Sequence, residues 1–336
     1  MKPINTLNPI KAKEFLSKYT SFVTFVILVF ILSILTSGRA LSWDSIRTLI
    51  IAEAVRAFAS LGVGMIIITR GIDLSIGYVV CLTASVAASF AQEPTLATAI
   101  YPGRTFPIIV PILAGIITGG IFGLFNGLLV SYGKLPPFIA TLGTMVIARG
   151  VQLLYTKAAI VSSLTAPFKA IAQTSIGHAR FQIPLLGIYM AVIAVIVWIL
   201  LRHTRQGSNF YAIGGNAQAA RVSGINVERD LVCVYLYAGI LYGCAGVLLA
   251  SRLALANALT ANGMELDAIA AVTVGGVSHS GGVGTVSGMM LGIFTMGLIN
   301  YGMSFMAIDS YYQYLVKGAI IIVAVLFDMK KYAKRA

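Results

Sequence analysis

The chain has 336 residues, 58% of them hydrophobic and only 10% charged, with a mean hydropathy of +0.90. Those proportions exclude an ordinary soluble domain and predict an all-α polytopic membrane protein. The net charge of +13 then reads as lysine and arginine retained on one side of a bilayer. It does not read as a nucleic-acid surface, since no interleaving of aromatic and basic residues accompanies it.

In chain order, Lys2, Lys11, Lys13 and Lys18 precede an apolar run over Phe22–Leu35. Ser37-Gly38-Arg39-Ala40 is a poor cleavage site and more spans follow at once, so an uncleaved first helix is expected rather than a signal peptide. About ten transmembrane helices are predicted, near 22–36, 47–69, 74–91, 107–130, 138–155, 184–201, 231–251, 266–277, 285–301 and 312–327. An even number puts both termini on one side. With the N-terminus inside, 14 basic residues fall inside and 7 outside, which places both termini and the 202–230 loop in the cytoplasm. The 14 include Lys2, Lys11, Lys13, Lys18, Arg70, Lys134, Arg202, Arg205, Arg221, Arg229, Lys334 and Arg335; the 7 include Arg47, Arg180 and Arg252. Residues 1–336 are expected to form one transmembrane domain.

Two stretches depart from simple spans. Thr69-Arg70-Gly71-Ile72-Asp73-Leu74-Ser75-Ile76-Gly77 puts a polar break between two apolar runs, and Val274–Gly284 carries five glycines after a run too short to cross alone. Non-helical backbone at membrane depth persists only where protein buries it or where it lines a cavity. Each is therefore either a path-lining element or a tight turn that lets helices pack. A faint internal echo relates Gly123–Leu128 to Gly297–Gly302 and aligns Asn126 with Asn300. An amide inside a span faces another helix or a cavity, because lipid leaves it unsatisfied. Asn126 and Asn300 are candidate pathway residues, together with Asp73, Ser75, Phe138 and Thr141.

Between Leu201 and Leu231 the apolar pattern gives way to a basic stretch, Arg202-His203-Thr204-Arg205, followed by AIGGNAQAARVSGINVERD from Ala212 to Asp230. Asn216 to Val222 reads as a short helix, preceded by Gly214-Gly215 and stopped by Ser223-Gly224. Such a surface helix within a membrane protein is a grip for a soluble partner.

No GxxxxGK[ST], HExxH, GxSxG or CxxC occurs, so nucleotide cradling and the common hydrolytic or redox chemistries have no motif here. Cys81, Cys233 and Cys244 fall within spans as small hydrophobes, and His178, His203 and His279 are scattered, so no catalytic or metal set is expected. Glu53 and Arg56, three residues apart, are placed to neutralise each other. Asp73, Glu265, Asp267 and Asp309 lie near span ends. A carrier that couples protons or ions by itself keeps acids at mid-membrane, so a pore driven by an external motor fits better than a self-sufficient secondary transporter.

Leu61–Gly77, Phe125–Thr156, Ala212–Val227, Glu265–Gly288 and Tyr311–Asp328 together resemble the permease subunits of bacterial ABC sugar importers, the family of the ribose, xylose and galactose permeases. Pro136–Met145 and Glu265–Val286 look most like its galactose/β-methylgalactoside branch, with ribose or another pentose the alternative cargo. The resemblance implies a homodimer in the bacterial inner membrane, a cytoplasmic ATPase that binds ATP and magnesium, and a periplasmic sugar-binding protein. No cofactor is implied for this chain. It also implies that 212–227 is the coupling helix seated on the ATPase, where Ala212, Gly214, Gly215, Ala219, Ala220, Ser223 and Gly224 permit close contact and Asn216 caps the helix.

Overall fold

The computed structural model describes residues 20–178 and 181–333. Lys2, Lys11, Lys13, Lys18, Arg180, Lys334 and Arg335, which enter the charge argument above, lie outside the described residues. Each of the ten predicted spans holds a helix. These are α1 (Thr20–Leu35), α2 (Trp43–Ile68), α3 (Ile76–Phe90), α4 (Ile109–Ser131), α5 (Pro137–Thr156), α7 (Leu185–His203), α10 (Val227–Leu253), α11 (Met264–Val274), α12 (Val286–Phe305) and α13 (Ser310–Ala333). Among the described residues, α2, α4, α5, α7, α10 and α12 are long and apolar enough to cross a membrane. At 1.5 Å per residue, the 11 residues of α11 reach about 16 Å, half of a bilayer core.

Three features were not foreseen. Helix α6 (Ala166–Gln173) leads into an antiparallel hairpin of β1 (Ser175–His178) and β2 (Phe181–Pro184). In the 202–230 loop a further helix, α8 (Arg205–Gly215), precedes the expected one, α9 (Ala217–Val222). The hairpin is the one sheet among the described residues, so the all-α class holds with this small exception.

The centre is α10, which packs most extensively on α4 and then on α3 and α2. Gly115, Gly119, Gly123 and Gly127 recur every four residues along α4 and so line one face. A side chain at Gly119 would strike backbone of Gly239 and Gly243, and one at Gly123 would strike backbone of Tyr235 and Gly239. In lipid, helices gain nothing from hiding apolar surface from each other. Close backbone approach across small residues supplies the contact instead, and the four-residue glycine period was its signal in the sequence.

The loops sort into two ends. At one end lie the α2–α3 break, the glycine-rich 275–285 loop, α8 and α9, with the Ser21 hydroxyl at the start of α1 donating to Val274 O at 3.0 Å. At the other end, Glu93 N donates to Ser163 O at 2.8 Å and Val161 pairs with Ala256, while the Arg47 guanidinium reaches Ser175 Oγ at 3.0 Å.

Candidate functional site

Asn216 caps α9 as its position predicts: its Oδ1 accepts from Gln218 N at 2.9 Å and Ala219 N at 3.0 Å. Ser223 and Gly224 (φ +87°) close the helix. Ala212, Gly215, Asn216, Ala219, Ser223 and Gly224 are exposed, and Val222 beside them is 86% exposed. Gly214 and Ala220 are a correction to the expected contact set, because both are buried. Gly214 packs on Ile68 O and the Gly282 amide, and Ala220 packs with Ile213 and Val227 beneath α9. Neither can touch a partner. Below α9, Glu228 gathers Lys134 at 3.0 Å and Arg221, which ties the α4–α5 turn to this end.

Arg70 joins this surface to both broken segments. It stands in the left-handed region (φ +64°), and its guanidinium donates from Nε to Ser280 O at 2.5 Å and from Nη2 to Gly215 O at 3.0 Å. Gly282 N donates to Ile68 O at 2.8 Å, and Tyr211 OH donates to Gly284 O at 2.9 Å. The end of α2, the 275–285 loop and α8 therefore form one hydrogen-bonded junction. Reading Arg70 as an inside charge missed this role, for which the sequence carries no signal beyond its place in a break.

Four of the six predicted pathway residues meet just inside the junction. Asp73 accepts from Ser75 N at 2.8 Å and Ser75 Oγ at 2.6 Å. Asn126 Nδ2 donates to Ser75 Oγ at 3.0 Å, and Thr144 Oγ1 donates to Asn126 Oδ1 at 2.6 Å. Leu74 N donates to Thr141 Oγ1 at 3.2 Å. All five side chains are buried, and within one copy this network satisfies the broken backbone. Asn300 does not join it. It sits on α12, which packs on α11, α2 and α1, whereas Asn126 is on α4, packed on α10, α3 and α5. The sequence echo therefore has no counterpart in a paired site. Phe138 is 52% exposed on the outer side of α5.

Over residues 45–325 the chain matches the family described as "Branched-chain amino acid transport system / permease component". The chain belongs to this family. It is 38% identical to the galactose/methyl galactoside import permease protein MglC of Escherichia coli K12, over 98% of this chain and 100% of that protein. It is 39% identical to MglC of Haemophilus influenzae, over 97% and 98%, and 38% identical to the ribose import permease protein RbsC of Bacillus subtilis, over 95% and 94%. No solved structure matches. The chain is thus a multi-pass membrane permease.

Away from this junction, one cluster of charges is paired. Glu53 meets Arg56 as their spacing predicts, and Asp267 lies 3.8 Å from Arg56 and 2.9 Å from Lys317. Arg252 donates to Ile51 O at 3.1 Å. Arg56, Arg252, Thr260, Asn262 and Asp267 border a cavity of ≈ 270 Å³. Lys317 has its partner Asp267 fifty positions away, beyond any local pattern. Among the described residues no three metal-ligating side chains gather around one point.

Proposed function

We propose that this chain is the membrane subunit of an ATP-driven importer of a monosaccharide, galactose or a methyl galactoside. The observation that carries this reading is full-length similarity to two MglC proteins, in a chain that also presents an exposed, capped surface helix. On this reading residues 1–336 form one transmembrane domain of ten spans in the bacterial inner membrane, with both termini and the 202–230 loop cytoplasmic. Two copies form the pathway. A cytoplasmic ATPase binds ATP and magnesium and seats α9 through Ala212, Gly215, Asn216, Ala219, Ser223 and Gly224. A periplasmic protein delivers the sugar to the opposite end.

Mechanistically, this chain binds and moves but makes and breaks no bonds. The ATPase shifts α8–α9, Arg70 carries the shift to both broken segments, and access to the path alternates. Interfaces of this kind switch between discrete arrangements instead of deforming continuously. The test is ATP-dependent uptake of labelled galactose by proteoliposomes holding this chain with its ATPase and binding protein. Uptake that survives collapse of the proton gradient but stops on ATP depletion supports the proposal, and the reverse pattern identifies a secondary transporter. Ribose is the second reading, favoured by the 38% identity to RbsC, and competition by excess ribose separates the two.

A further inference from the structure

Arg149 stands where lipid does not tolerate a charge. It is the thirteenth residue of the 20-residue helix α5, about 18 Å along the axis from Pro137 and about 10 Å from Thr156 at 1.5 Å per residue. Its side chain is exposed, and among the described residues no carboxylate pairs with it. Its guanidinium carbon lies 5.3 Å from the centroid of the Tyr78 ring, at the start of α3. Ionisable groups at this depth almost always face a protein interior or water, since desolvation in hydrocarbon is prohibitive.

The rest of α5 has two unlike sides. The helix buries a narrow stripe, Ala140, Thr144, Ala148, Gln152 and Thr156, spaced by four and packed on α3 and α4. At 3.6 residues per turn, Phe138, Leu142, Met145 and Arg149 fall along one flank of that stripe. Gly143, Ile147, Val151 and Leu154 fall along the other, which carries no polar side chain. The two flanks are both largely unpacked but chemically unlike, and only the first combines an aromatic ring with a cation.

We propose that the α5 flank of Phe138, Leu142, Met145 and Arg149 is a wall of the solute path, with Arg149 and Tyr78 its mid-membrane contact for a polyhydroxylated solute. This rests on the permease reading above, in which a second copy supplies the facing wall. A guanidinium offers five fixed donors to neighbouring hydroxyls, and the ring offers an apolar face with a polar edge. Few polar groups among apolar walls hold a solute weakly enough to release it.

The test uses the assembled importer in native membranes, with Cys81, Cys233 and Cys244 replaced. Leu142→Cys reacts with a small hydrophilic thiol reagent about tenfold or more faster than Ile147→Cys on the other flank, because the thiolate forms in water and not in lipid. Equal rates overturn the assignment of the wall. Arg149→Gln lowers uptake about tenfold, the scale of one lost charge-assisted contact, and Arg149→Lys retains part of it; the amount of variant co-purifying with the ATPase confirms assembly. Full uptake by assembled Arg149→Gln overturns the contact. If the wild-type importer moves no sugar while the Leu142→Cys variant is labelled fast, the cargo reading is refuted and the wall is supported.

Discussion

Gly214 and Gly215 are neighbours in α8 with opposite surroundings, and that contrast yields a sharp prediction. A side chain at Gly214 would strike Ile68 O and the Gly282 amide, both backbone atoms that cannot swing away. Gly214→Ala must therefore push α8 off the end of α2. Forced overpacking of this kind costs about 1–3 kcal/mol, which at roughly 2–4 °C per kcal/mol lowers Tm by about 2–12 °C. At Gly215 an added Cβ meets nothing within 4 Å, so Gly215→Trp leaves Tm unchanged. Its indole projects instead into whatever sits on α9. If that is the ATPase, the same 1–3 kcal/mol falls on docking and weakens it about 5- to 150-fold, at 1.4 kcal/mol per decade. The assay pairs thermal unfolding of the purified permease in detergent with titration of immobilised permease by the ATPase. Normal ATPase affinity in Gly215→Trp refutes the docking assignment. An unchanged Tm in Gly214→Ala refutes the packing argument.

Arg70→Gly removes both carbonyl contacts while easing the left-handed backbone, so ATPase binding persists and sugar carried per ATP hydrolysed falls; about 1–3 kcal/mol of lost coupling corresponds to a 5- to 150-fold effect. Unimpaired coupling in proteoliposomes would show that the junction transmits nothing. Ser208→Cys is labelled by an impermeant thiol reagent from the cytoplasm only and Thr174→Cys from the periplasm only, and the opposite pattern inverts the topology. Asn126→Leu removes two bonds from a buried network, while Ser75 Oγ keeps Asp73 and Thr144 Oγ1 keeps Thr141 O, and costs about 0.5–1.5 kcal/mol per bond, measured as a lowered Tm. Asn300→Leu removes an acceptor, Oδ1, that is buried without a partner, so its Tm is unchanged or higher; a fall matching that of Asn126→Leu would show that Asn300 also holds a structural bond.

The helices were legible because long apolar runs are set by composition: all ten runs hold helices, and six of these, among the described residues, are long and apolar enough to cross a membrane. Asn216 and Gly224 were legible for a local reason: capping and left-handed closure depend on residues within one turn. Helix α8 was not. Gly207, Gly214 and Gly215 are poor helix formers, and the helix stands because Thr204 Oγ1 accepts from Gly207 N at 3.0 Å while Phe210 and Ile213 are buried. Asp73, Ser75, Asn126 and Thr141 were found singly, as polar residues in apolar surroundings, but their meeting depends on how α3, α4 and α5 cross. The Asn126–Asn300 echo misled because a six-residue match without a longer repeat carries no tertiary information.

The same network gives the broken segment a mechanical meaning. Arg70 and Asp73 stand three residues apart in one irregular stretch, with Arg70 facing outward to Gly215 and Asp73 inward to Ser75. A displacement of α8 acts on Arg70, and the rigid peptide units between the two carry it to Asp73 over a distance too short to absorb it. From there Ser75, Asn126 and Thr144 lead by hydrogen bonds to α5, whose flank carries Phe138 and Arg149. A regular helix in place of this break would resist such motion, because each residue's bonds are fixed by its neighbours four positions away. The break instead satisfies its backbone through side chains such as Thr141 Oγ1, and side-chain bonds can be exchanged without unfolding a span. On the proposed reading, that is the physical reason to place the moving part of this permease at residues 69–75, between the proposed docking surface and the proposed solute wall.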